Sequence, residues 1–151
     1  MNKSTLKLNS FIPYRLSVLS NKISQGIADL YESRFQISTQ EWRIMAILGE
    51  QPEISAGEVA VRTAMDKVAV SRAVKKLLAS KKLERHFSDS DKRRSVLALS
   101  KLGMEIYLEI IPMAKEYERN LLSSLSNKEQ LSFNKLLDTL EKEQSHLSKK
   151  Y

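Results

Sequence analysis

Between Asp66 and Glu84 the chain has no acidic residue, and this stretch carries Lys67, Arg72, Lys75 and Lys76. A second group of cations, Lys92, Arg93 and Arg94, follows Asp91. Fixed ammonium and guanidinium groups gathered in this way suit a polyanion, whereas an ordinary solvated face mixes acids with bases. The charge is localised: of the net +7, residues 1–65 hold +1, residues 66–95 hold +6 and residues 96–151 hold none. Bond-making chemistry has little to work with. The 151 residues contain no Cys and only His86 and His146, which excludes a disulfide frame, a thiolate or His-rich metal site and a thiol redox sensor. No nucleophile–base pair, phosphate loop or carboxylate constellation stands out. The chain is therefore not expected to be an enzyme or to need a cofactor.

The elements that must position these cations can be read from periodicity. A hydrophobic share of 42% supports a core, and only 4 Gly and 3 Pro favour long helices over an all-β fold. Residues 1–10 are polar and expected to fray. Ile12, Leu16, Leu19, Ile23, Ile27 and Leu30 recur at helical spacing and predict a helix over 11–35. Ser38 with Glu41 forms a capping box before Trp42, Met45 and Leu48, and this second helix should end near Gly49. Ser55 with Glu58 opens a short helix to about Thr63, and Asp66 caps another running to about Ser80. Residues 83–88 and 96–100 read as two short strands joined by a charged turn. Leu102, Ile106, Ile110, Met113, Tyr117 and Leu121 mark a second long helix that Pro112 could kink. Ser126 with Glu129 starts the last helix. No apolar run approaches the roughly 20 residues of a membrane span. Asn9, Ser10, Pro13, Tyr14 and Arg15 interrupt any leader core. A soluble, cytoplasmic protein with no membrane partner is expected.

Short helix, turn, helix and basic-tipped hairpin make a winged helix-turn-helix plan. The fold class expected is mainly α with a small β-hairpin wing, flanked by long helices. On the helix 67–80, Val70, Val74 and Leu77 fall on one stripe. Val68, Arg72 and Lys75 lie opposite, with Ser71 and Lys76 on the flanks. The major groove of double-stranded DNA admits one such helix. Arg72 could read guanine or grip a phosphate, Val68 could meet a thymine methyl, and Ser71 could bond base or phosphate. Lys67 and Ser55, at the starts of their helices, complete the DNA-contacting set for this half. A hairpin with Arg at its tip can enter the adjacent minor groove.

The run from Ser38 to Leu102 resembles the MarR family, the multiple-antibiotic-resistance type of winged-helix regulators. The resemblance rests on Glu41-Trp42-Arg43, Met65-Asp66-Lys67 and Val70-Ser71-Arg72-Ala73-Val74. It continues through Leu83, Arg85, Asp91, Arg93, Leu97, Leu99, Ser100 and Gly103. It implies a single chain over 1–151, with dimerisation helices over 11–35 and 101–150 and a DNA-binding part over 38–100. It also implies a homodimer whose first, fifth and sixth helices join the two copies. By the same resemblance Arg93 enters the minor groove and Asp91 helps hold it, while Lys92 and Arg94 add phosphate contacts. Two positions depart from the family. Lys82 stands where Gly is common after the recognition helix, so it must take a left-handed conformation or end the helix differently. Ser100 stands where Thr is usual and still caps the fifth helix.

The apolar stripes of the long terminal helices exceed what one small domain can cover, which agrees with a homodimer. Two-fold symmetry then predicts a palindromic operator. Members of the family commonly leave DNA when a small anionic or phenolic compound binds. Here Arg15 suits a carboxylate, with Tyr14 beside it, and Ser24, Trp42 and Met45 could line an aromatic slot. Trp42 could equally be plain core, and Arg15 a structural ion pair. The reading is a ligand-responsive repressor released by a small aromatic or phenolic carboxylic acid. The alternative is a nonspecific architectural DNA-binding protein.

Overall fold

The computed structural model describes residues 5–88, 90–91 and 93–151. Six α-helices and one hairpin are found among them: α1 (Ile12–Phe35), α2 (Thr39–Glu50), α3 (Ala56–Thr63), α4 (Lys67–Ala79), β1 (Leu83–Phe87), β2 (Ser95–Leu99), α5 (Lys101–Leu122) and α6 (Asn127–Leu147). They form two compact units that divide after Met113, one residue beyond Pro112, which α5 accommodates without a break in its helix.

The first unit holds the core. Tyr31 of α1, Ile44, Met45 and Leu48 of α2, Val59 of α3, Val70, Val74 and Leu77 of α4, Leu97 of β2 and Ile110 of α5 are buried together. The stripe read from the sequence of α4 is therefore its core face, widened by Ala73. Residues 8–10, expected to fray, form one 3-10 turn instead, with the Phe11 N–H donating to the Leu8 carbonyl. Local chemistry sets the helix ends. Asp66 accepts from the Ala69 N–H at 2.8 Å and starts α4. Ser55 and Glu58 cap α3 reciprocally, as do Ser126 and Glu129 at α6. At α2 the box is incomplete: the Ser38 hydroxyl accepts from the Glu41 N–H, but the Glu41 carboxylate takes the Ser38 hydroxyl rather than the Ser38 N–H.

Of the two alternatives open at Lys82, the end of α4 takes the second: the helix ends differently and Lys82 is not left-handed. The left-handed residue is Lys81, with φ 59°. The Lys81 N–H donates to the Leu78 carbonyl and the Lys82 N–H to the Leu77 carbonyl, the pair of bonds that closes a Schellman motif. Lys82 is one residue past the turn and is buried. Its carbonyl lies so close to Gly103 that a Cβ there would overlap it. α5 can therefore begin against the end of α4 only with glycine at position 103. Ser100 caps α5 as expected, its hydroxyl accepting from the Gly103 N–H at 3.0 Å.

β1 and β2 pair antiparallel, from Leu83 with Leu99 to Phe87 with Ser95. A third strip that the sequence did not announce joins them. The Leu97 N–H donates to the Ile54 carbonyl, and the Leu97 carbonyl accepts from the Glu53 N–H. The connection between α2 and α3 is thus part of the sheet.

The second unit contains the end of α5 and α6. The Gln130 side chain donates to the carbonyls of Leu122 and Leu125, supplying partners for the end of α5. α6 buries none of its residues.

Candidate nucleic-acid interface

α4 presents Lys67, Val68, Ser71, Arg72, Lys75 and Lys76 to solvent while its opposite side is core. None of these four cations has an acidic partner within ion-pair distance among the described residues. Their charge is therefore uncompensated and directed outward. Beside α4, the start of α2 adds a shallow groove lined by Ser38, Gln40 and Glu41 together with Arg72 and Lys76. Ser38 and Gln40 were not anticipated there, because only the packing of α2 on α4 brings them to this surface. The Ser55 hydroxyl caps α3 by accepting from the Glu58 N–H.

The hairpin tip is organised from within. Asp91 accepts the Arg93 N–H on its carboxylate at 3.0 Å and the Arg94 N–H on its carbonyl at 2.9 Å. The Arg94 carbonyl in turn accepts from Ser88. Asp91 thus holds Arg93 through its backbone and leaves the guanidinium out of that bond. Arg94 differs from the simple phosphate cation the sequence suggests: its guanidinium sits on the carboxylate of Glu58 at the start of α3. That carboxyl is lowered to about 2, first by the Ser55 N–H it accepts and then by Arg94. His86 of β1 lies on Glu53, whose backbone is left-handed at φ 65°. Lys92, expected beside Arg93, lies outside the described residues.

The residues proposed for an effector do not converge. Tyr14 and Arg15 line an open depression on α1 with Ile12, Leu19 and Lys22. Ser24 instead accepts a hydrogen bond from Arg43 at 3.1 Å. Met45 is fully buried in the core, because α2 turns it onto the side that packs against the rest of the unit. Trp42 is half-buried between Tyr31 and Tyr107, with ring centroids 5.6 and 6.0 Å away. Among the described residues the buried Tyr31 hydroxyl makes no hydrogen bond of normal geometry, and burial pushes its pKa up against the smaller opposing pull of nearby Thr39.

A model of the MarR family matches residues 35–94, which span α2 to the hairpin tip. The HTH-type transcriptional regulator BilQ of Clostridium symbiosum (strain WAL-14163) is 31% identical over 104 residues, covering 68% of this chain and 72% of the relative. The chain belongs to the MarR family. A MarR/EmrR family transcriptional regulator from Acinetobacter sp. ADP1 superposes with a TM-score of 0.86 at 28% identity, over 93% of this chain and 99% of that one. The MepR–DNA complex of S. aureus shares the fold, with a TM-score of 0.77 at 21% identity over 88% of this chain and 98% of MepR. As a member of the MarR family, the protein is a DNA-binding transcriptional regulator with a winged-helix fold. The family is one of regulators, not of enzymes. Among the described residues no helix is long and apolar enough to cross a membrane.

Proposed function

We propose that this MarR-family regulator acts as a homodimeric repressor on a palindromic operator. Each copy would set α4 into the major groove and its hairpin into the neighbouring minor groove. The observation that carries this reading is the outward face of α4, where four cations without an ion-pair partner among the described residues stand with a hydroxyl and Val68 above a buried stripe. Arg72 and Lys75 are assigned to base or phosphate contact at the centre of that face. Lys67, Lys76 and Ser71 are assigned to its flanks, Ser55 to the edge and Arg93 to the minor groove. Arg72 and Lys76 at the edge of the groove between α2 and α4 are the cations there that a backbone phosphate would meet, on the α4 side, with Glu41 on the α2 side of the same groove. Exposed Leu16 and Leu19 on α1, Leu121 on α5 and Leu136 and Leu140 on α6 support burial against a second copy.

Release by a small aromatic carboxylate is the finer part of the proposal. Arg15, Tyr14 and Lys22 around the α1 depression favour an anionic, partly aromatic compound. A ligand that prefers one spacing of the two recognition helices lowers affinity for an operator that prefers another. Such coupling is typically about 1–3 kcal/mol. The test is selection of bound sequences from random DNA, repeated with a panel of aromatic acids. The expected result is one palindrome bound by orders of magnitude over random duplex and released by a subset of the acids. Binding without sequence preference would favour an architectural protein instead.

A further inference from the structure

We propose that Arg94 and Glu58 are positioning residues, whose ion pair braces the hairpin tip against the start of α3 and so aims Arg93. The inference rests on the reading of α4 and the hairpin as the DNA face. The two residues are 36 apart in sequence, and their side chains meet at Glu58 Oε2. That oxygen also accepts the Ser55 N–H at 2.7 Å, so the carboxylate is fixed by the capping box before Arg94 reaches it. Arg94 is held at its other end too. Its N–H and carbonyl are both used inside the tip, by Asp91 and Ser88. Arg94 therefore joins two rigid pieces, and Arg93 is the next residue along the chain. The strands are secured separately, at their middle by the bonds of Leu97 to Glu53 and Ile54 and one pair nearer the tip by His86 on Glu53. Those contacts fix the body of the hairpin, and the Arg94–Glu58 pair fixes how the tip beyond it leans. Both side chains are about half exposed, 46% each. Such pairs add little to global stability, so the consequence of this one is geometric. An Arg neutralised by Glu58 also contributes little net attraction to a phosphate.

Glu58→Gln tests this cleanly, because Gln at the same position keeps the capping box while removing the charge. Arg94→Gln, Glu58→Gln and the double variant would be titrated by anisotropy against the selected operator over a salt series. The free proteins would be followed by amide exchange at Ser88, Arg93 and Arg94. The brace predicts that each single variant weakens binding by the same amount, on the order of threefold. The double variant should be no weaker, the salt slope unchanged, and tip exchange faster in all three. If Arg94 instead grips a phosphate, Arg94→Gln lowers the salt slope by about 0.9 and Glu58→Gln tightens binding, which overturns the proposal. Additive losses, or exchange equal to wild type, overturn it as well. A wild-type chain that selects no sequence overturns the operator reading, and with it the aiming role. The exchange measurement still decides whether the brace exists.

Discussion

α4 turns Val70, Val74 and Leu77 into the core and leaves its cations outside, whereas α6, of 21 residues, leaves Leu131, Leu136, Leu140 and Leu147 exposed and buries nothing. Both helices have apolar residues at helical spacing, and periodicity by itself ranks them as equals. The difference lies in what each has to pack against. α4 is enclosed by α2, α3 and β1, so its apolar side is satisfied within the chain and its polar side is free to meet another molecule. α6 has its apolar side still to cover. Periodicity reports that a face wants burial, not whether the same chain supplies the partner.

The largest test of this contrast is Leu77→Ala, at a position with no exposure. It should cost about 2–5 kcal/mol in denaturant unfolding; a loss below about 1 kcal/mol would mean that the α4 stripe is not the core it is taken to be. Leu136→Glu combined with Leu140→Glu puts two charges on the open row of α6. Sedimentation should then report one chain where the wild type reports two, and an unchanged mass would break the second half of the comparison. Arg93→Ala should weaken binding to A·T-flanked operators by about 1–3 kcal/mol in anisotropy titrations, leaving unfolding untouched. Arg15→Ala should keep operator affinity but blunt release by an aromatic acid, a change within the roughly 1–3 kcal/mol of coupling.

The smallest effect concerns acid. Folding lowers the Glu58 carboxyl from 4.5 to about 2, so its contacts favour the folded form fully above pH 4.5 and lose that advantage as pH falls toward 2. An NMR titration of Glu58 should show a midpoint near 2. In Arg94→Gln the midpoint should rise only part of the way, because the Ser55 N–H, the larger cause, remains.

Much of the α4 surface was legible because a helix repeats: burial of Val70, Val74 and Leu77 forces Arg72 and Lys75 outward. Three features were not. The sequence left two ways to end α4 at Lys82, and only the hydrogen bonds counted back from the last turn make Lys81 the left-handed residue. Ile54 joins the sheet through a single residue, too short to leave an alternating pattern. Glu58 and Arg94 belong to two local motifs, a capping box and a turn, and only the folded chain carries one to the other.

Ser100 has one more consequence. Its hydroxyl donates to the Lys81 carbonyl at 2.6 Å and accepts from the Gly103 N–H, while its own N–H donates to the Lys82 carbonyl. The last turn of α4, the end of β2 and the first turn of α5 are thereby pinned at a single joint, with no side chain at Gly103 to act as padding. A joint without slack transmits movement. The first turn of α5 and the carbonyls of Lys81 and Lys82 therefore share one position, and a shift of either is a shift of both.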